Sequence, residues 1–179
     1  ELKDTKELIQ KILDNEIKET GEIKSNFEKV LLKKFFNDFI QLYSVLANEK
    51  HIKIIPEIRV ADNCSIYTDK NSLIRILDNL LSNAIKFSGF NRNVYITVGE
   101  ENGLIDISIK DEGPGFTPDD LQNLFKKYKK LSAVPTGGES STGIGLHIVK
   151  KLVDKLGGEI RVETTTGVGT NFKINFQKT

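Results

Sequence analysis

Methionine and tryptophan are absent from the 179 residues, cysteine occurs once and histidine twice. The single cysteine, Cys64, can close no disulfide within the chain, so a disulfide scaffold is excluded and a reducing compartment is expected. Its ordinary reading is a small buried apolar side chain. No apolar run is long enough to cross a bilayer, and no signal peptide opens the chain. Charge of one sign is also lacking: 26 Lys and Arg stand against 25 Asp and Glu, a formal net charge of +1. A nucleic-acid binder carries a basic excess, so no nucleic-acid partner is expected. With no methionine to start it, the chain reads as a fragment of a longer protein, any membrane anchor or sensor lying outside it.

What is present is the composition of a soluble globular domain, 38% hydrophobic and 28% charged. The length suits one domain with its own core plus a short appendage. Residues 2–20 read as an amphipathic helix, with Leu8, Ile9, Ile12, Leu13 and Ile17 on one stripe that must pack on something. An extended piece at 27–32 and a helix marked by Phe35, Phe36, Phe39, Ile40, Leu42, Tyr43 and Leu46, its broad apolar side expected to be mostly buried, follow. Residues 52–60 and 65–68 read as strands around an Asp62-Asn63 turn. Asp69 or Asn71 caps the next helix, which runs to about Phe87. Strands at 94–100 and 104–110 are joined by Asn102-Gly103, a strong hairpin signal. Thr117-Pro118 opens a helix expected to end near Tyr128. Residues 129–142, rich in Gly, Ser, Thr and Pro, read as a mobile loop. A helix over 143–156 and strands at 159–164 and 170–176 close the chain. The expected fold is α+β, one mixed and mostly antiparallel sheet of about five strands covered on one face by three helices.

Four constellations carry chemistry. Asn79 and Asn83 share a helix face, with Lys86 near the same side and Leu80, Leu81, Ala84 and Ile85 turned to a core. A carboxamide oxygen suits a magnesium ion that keeps waters and bridges phosphates, and an ammonium suits a phosphate; a solvated polar face fits the same pattern. In the 104–110 strand, Ile105, Ile107 and Ile109 alternate with polar residues, and Asp111 continues the isoleucine side. A carboxylate there needs hydrogen bonds, which an exocyclic amine such as adenine's supplies. Gly113 and Gly115 allow close approach to a flat base, though a plain Asp-Gly turn is the alternative. Thr142-Gly143-Ile144-Gly145-Leu146 leads into a helix, whose first N–H groups and positive dipole end favour phosphate; simple N-capping by Thr142 fits as well. Phe125 and Tyr128 are interleaved with lysines up to Lys130, as a solvated basic helix end would also be. Gly167-Val168-Gly169-Thr170 can be read as a hairpin turn alone. Neither the P-loop nor the dinucleotide fingerprint is matched.

In order and spacing these motifs resemble the ATP-binding domain of sensor histidine kinases, in the wider group that includes gyrase B, Hsp90 and MutL. NLLSNAIKFS looks like the N box, DEGPG the G1 box, Phe125 to Lys130 the F box, TGIGL the G2 box and GVGT the final glycine turn. The resemblance covers the chain from about Phe27. It implies a domain over residues 23–179, with 1–22 as the end of a dimerisation and phosphotransfer helix. It further implies that Asn83 coordinates Mg2+ with Asn79 in support, and that Lys86 and Lys130 approach the phosphates of ATP. Asp111 would accept the adenine amine's hydrogen bond, with Phe87, Gly113 and Gly115 near the base. Thr142, Gly143, Ile144, Gly145 and Leu146 would line the phosphates; Phe125, Tyr128 and Thr170 complete the nucleotide site. Residues 129–141 match the ATP lid, with Ser141 where the family often has glycine.

The implied reaction is transfer of the γ-phosphoryl group to a histidine outside this fragment. The implied partners are that histidine-bearing dimerisation helix, a response regulator receiver domain and a second copy of the parent, in the cytoplasm. Neither His51 nor His147 has the expected acidic neighbour, so both read as structural. Related ATPases place a water-activating glutamate where this chain has Asn79, so negligible ATP hydrolysis is expected. An ATPase of the gyrase or Hsp90 type, a nucleotide-sensing module without catalysis and a serine kinase of the same fold are the competing readings.

Overall fold

The computed structural model describes residues 26–129, 131–138 and 143–178. The helix expected over 2–20 and the site expectations at Lys130, Ser141 and Thr142 lie outside the described residues. The described elements run β1 (Phe27–Leu31), α1 (Leu32–Asn48), β2 (Lys53–Arg59), β3 (Ser65–Asp69), α2 (Lys70–Phe87), β4 (Asn93–Glu101), β5 (Leu104–Asp111), α3 (Pro118–Asn123), α4 (Gly145–Lys155), β6 (Glu159–Thr165) and β7 (Gly169–Gln177). Five strands form one sheet in the order β2-β4-β5-β7-β6, antiparallel except for the β2–β4 pair. The architecture is α+β and mixed, as the sequence implied.

Alternation builds the two layers. On β4, β5 and β7 every second residue is buried: Val94, Ile96 and Val98; Ile105, Ile107 and Ile109; Phe172, Ile174 and Phe176. Register sets Ile96 opposite Ile109 and Ile109 opposite Phe172. Helices α1, α2 and α4 bury Phe36, Leu73, Leu77, Leu80, Val149 and Val153 in the same core. The opposite sheet face carries Tyr95, Asp106, Ser108, Lys110 and Lys173 and takes the solvent side.

The structure adds one pairing and corrects one local expectation. The strands on either side of the Asp62-Asn63 turn do not pair with each other. β3 pairs antiparallel with β1 as a separate two-stranded sheet, burying Val30 opposite Ile66, while β2 pairs parallel with β4. A parallel pair requires a long crossover, which β3 and α2 supply. The helix opened by Thr117 ends at Asn123, short of Tyr128. Its last peptides are drawn to α4 instead. The Phe125 carbonyl meets His147 Nδ1 at 3.1 Å, the Tyr128 N–H donates to the Gly143 carbonyl at 3.1 Å, and Tyr128 itself turns to φ +61°.

Candidate functional site

Asp69 caps α2, its carboxylate accepting the Ser72 N–H at 2.8 Å. The register so fixed turns Leu73, Leu77, Leu80, Leu81 and Ala84 to the core and leaves Asn79, Asn83 and Lys86 half-buried at its margin. Asn79 Nδ2 donates to the Arg75 carbonyl at 2.8 Å, which orients the carboxamide. Its Oδ1 faces Gly145: a Cβ on Gly145 would stand 2.6 Å from that oxygen. The N-terminus of α4 therefore abuts the asparagine ridge, and only glycine permits the approach.

The start of α4 is Gly145, two residues later than expected. Its N-cap, Ile144, makes no side-chain capping hydrogen bond to the first amides of the helix. Gly143 holds φ +68°, and a Cβ there would meet the Lys129 carbonyl at 2.7 Å. The contacts of Tyr128 with Gly143 and of Phe125 with His147 join the F-box stretch to the same helix start. Phe125, Ile144 and Leu146 are half-buried, Phe125 and Leu146 against the core, while Tyr128 is 66% exposed.

Asp111 ends β5 on its buried side, 8% exposed, where the alternation put it. Oδ1 accepts the N–H groups of Gly113 at 2.8 Å and Thr170 at 3.2 Å. Burial pushes the carboxyl up to about 6, against the opposing pull of those two N–H groups. The GVGT stretch is more than a turn. Gly169, at φ +145°, lies so close that a Cβ would stand 2.1 Å from the Asp111 carbonyl oxygen, and Gly167 donates to the Pro114 carbonyl at 2.7 Å. Gly115, at φ +67°, is pressed likewise on Thr165. The β6–β7 turn thus clamps the 111–115 loop.

A cavity of about 530 Å³ opens beside this loop, between Phe87 at the end of α2, Gly113 and Gly115. Its roof is the described part of the 129–142 loop, including Ser132, Val134 and Thr136. Of the residues singled out in the sequence, Phe87, Gly113 and Gly115 line the cavity; Asn79, Asn83, Lys86, Asp111, Phe125, Tyr128, Gly143, Ile144, Gly145, Leu146 and Thr170 do not. Sequence reasoning missed Arg92, Glu112, Ser132, Thr136 and Thr166, all of which line it. Ser132 and Thr136 sit in a stretch without period, where only the hydroxyl content gave a signal.

The fold is that of an α+β domain with one mixed five-stranded sheet and a cavity beside the 111–115 loop. The model of the histidine kinase-, DNA gyrase B-, and HSP90-like ATPase family matches residues 68–179, and the chain belongs to that family. Within it the chain is an ATP-binding catalytic domain of the sensor histidine kinase kind. It is 34% identical over 138 residues to the autoinducer 2 sensor kinase/phosphatase LuxQ of Vibrio parahaemolyticus, covering 74% of this chain and 16% of that protein. It is similar to full-length ShkA solved in complex with AMPPNP, with a TM-score of 0.75 and 27% identity, covering 88% of this chain and 32% of that one. The histidine kinase ThkA, solved in complex with the response regulator protein TrrA, shares the fold: the TM-score is 0.74 at 22% identity, covering 98% of this chain and 49% of that one. The chain spans less than half the length of the curated relatives it matches.

Proposed function

We propose that this domain binds Mg2+–ATP and that, in the whole protein, it passes the γ-phosphoryl group to a histidine on a dimerisation helix outside residues 23–179. Residues 1–22, outside the described residues, are assigned in this proposal to the dimerisation and phosphotransfer region. The phosphohistidine then feeds a response regulator, the parent acts as a homodimer, and the domain works in the cytoplasm. No helix among the described residues is long and apolar enough to cross a membrane. The observation that carries the reading is the seating of Gly145 on the Asn79 carboxamide, which brings the asparagine ridge to a helix start whose N-cap, Ile144, makes no side-chain cap.

The residues fit the nucleotide. Asp111 presents a buried carboxylate with only two N–H partners among the described residues, so an acceptor position is left for an adenine amine. Phe87, Gly113 and Gly115 offer an apolar side chain and open backbone to the base. Thr170 holds Asp111 in place. Gly143, Ile144, Gly145 and Leu146 supply backbone amides to the phosphates, joined in this proposal by Thr142. Lys86 and Lys130 supply ammonium groups, and Phe125 and Tyr128 flank the phosphate end. Asn83 would hold the magnesium ion with Asn79 beside it. Magnesium, when bound, neutralises charge that develops on the phosphoryl oxygens. Asn79 cannot take a proton, so no group there activates water. An acceptor imidazole needs no such base, being a nucleophile in its neutral form.

The test mixes the domain with γ-labelled ATP and the histidine-bearing helical hairpin of the parent protein. Acid-labile label on the hairpin is expected. Tight ATP binding with no label transferred would instead favour a nucleotide-sensing module.

A further inference from the structure

Asp111 stands between two residues of opposite charge, and both turn to the other side of the sheet. Alternation along β5 puts Asp111 on the buried side and Lys110 on the open side. Lys110 and Glu112 there grip the same tyrosine. Lys110 Nζ lies 5.8 Å from the centre of the Tyr95 ring, and Glu112 Oε1 accepts the Tyr95 hydroxyl at 3.1 Å. Register explains the meeting, since Tyr95 stands opposite Lys110 next to the Val94–Asp111 pair. Glu112 also reaches the start of β4. Its Oε2 accepts the Asn93 N–H at 2.9 Å, and its Oε1 lies 3.3 Å from Asn93 Nδ2. The Asn93 N–H holds the Glu112 carboxyl below the usual carboxylate range, so the tie is that of an ionised group at neutral pH.

The tie matters because of the peptide that follows it. Gly113, next in the chain, supplies one of the two N–H groups that Asp111 Oδ1 accepts, at 2.8 Å. Gly113 has little room: a Cβ there would stand 2.8 Å from Asp111 Oδ1 and 3.2 Å from the Phe87 carbonyl oxygen. The other donor, the Thr170 N–H at 3.2 Å, belongs to β7. Asp111 is thus oriented from β7 on one side and, through Gly113, from β4 on the other. The second route runs through the Glu112 side chain, to which the nucleotide reading gives no role.

We propose that Glu112 is a positioning residue for the adenine acceptor: fastened to Asn93 and Tyr95, it holds the Gly113 N–H on Asp111 and so fixes the direction in which that carboxylate receives the exocyclic amine. Tyr95 is the second member of the device. Glu112 acts through Asp111 rather than on the base. With the tie lost, Asp111 is held firmly by the Thr170 N–H alone, and the amine meets a carboxylate spread over several orientations. The Glu112 hydrogen bonds run to β4, away from the α2 ridge and the α4 start, so the loss falls on the amine contact and spares the phosphates.

This inference rests on the adenine reading of Asp111 above, and the experiment separates the two. Calorimetry compares the affinity of the domain for ATP with that for the triphosphate of purine riboside, which differs only in lacking the exocyclic amine. Wild type is expected to prefer ATP by about tenfold or more. Glu112→Ala is expected to bind ATP about threefold to tenfold more weakly while holding the amine-free nucleotide within about twofold of wild type. Glu112→Gln, whose amide can still accept the Asn93 N–H and donate to the Tyr95 oxygen, is expected to restore most of the preference. Tyr95→Phe removes one hydroxyl and keeps the ring beside Lys110; a loss of about twofold to threefold is expected for ATP alone. Equal losses for both nucleotides in Glu112→Ala would mark a merely structural role and overturn the proposal. So would an undiminished preference in Glu112→Ala, or in Tyr95→Phe should the alanine variant not fold, and so would Glu112→Gln discriminating no better than Glu112→Ala. A wild type that binds both nucleotides equally, or neither, would overturn the Asp111 reading as well.

Discussion

Replacing Asp111 by asparagine should make the nucleotide-free domain more stable while removing its grip on adenine. The carboxylate is 8% exposed, and burial lifts its ionisation from an ordinary 3.8 to about 6. At about 1.4 kcal/mol for each tenfold change, the ionised group costs the fold about 3 kcal/mol at neutral pH. Asparagine is nearly isosteric, and its Oδ1 can still accept the Gly113 and Thr170 N–H groups. Urea unfolding of Asp111→Asn at pH 7.5 should therefore show a gain of roughly 1–3 kcal/mol over wild type.

The pH dependence carries the sign. The folded value lies above the unfolded one, so between about pH 6 and pH 4 the folded state holds the extra proton. Wild type gains this stability as pH falls through that window, and the variant does not; the gap between them should close near pH 4. The downward-shifted Asp120 acts below this window, and the comparison with the variant cancels it. In the same variant, affinity for ATP should fall by about tenfold or more, because an amide meets the adenine amine without the charge of a carboxylate. An Asn variant less stable than wild type at pH 7.5, or a gap that ignores pH, would refute the reasoning.

Gly145→Ala should leave stability within about 1 kcal/mol, since alanine suits a helix better than glycine. Its Cβ would nonetheless press to 2.6 Å on Asn79 Oδ1 and displace that side chain, so calorimetry should register ATP affinity down by roughly tenfold or more. Gly169→Ala should lower unfolding free energy by roughly 3 kcal/mol or more, because its Cβ meets backbone at 2.1 Å in a conformation that side chains rarely adopt. Ile107→Ala empties a site only 1% exposed at the centre of the sheet; a loss of about 2–5 kcal/mol in urea unfolding is expected, with nucleotide affinity at saturating stability conditions unchanged.

Local periodicity was enough for the core and for the buried position of Asp111. The Ile105, Ile107 and Ile109 alternation put Asp111 on the buried side, and Asn102-Gly103 made the β4–β5 hairpin, with Asn102 at φ +52° and Gly103 at φ +77°. Asp69, one of two cap candidates, is the one that caps α2. What escaped the sequence depends on partners distant along the chain. β2 pairs with β4 across the whole β3–α2 crossover, and no local signal distinguishes that from a hairpin with β3. Residues 124–128 have helical composition, yet their backbone groups are recruited by Gly143 and His147. The contacts of Thr136 were invisible for the same reason. A threonine in a glycine-rich loop acquires meaning only when the carbonyls of Lys86 and Ser88 lie beneath it.

The convergence of the α2 carboxamides and the α4 helix start on one metal–triphosphate is tested most directly by titrating ATP into wild type and Asn83→Ala, with and without magnesium. Wild type should bind more tightly when magnesium is present. Asn83→Ala should lose that magnesium-dependent increment while its magnesium-free affinity stays close to wild type, because Asp111 and the 113–115 loop are untouched. A full magnesium increment in the folded Asn83→Ala domain would contradict the assignment of this helix face to the metal.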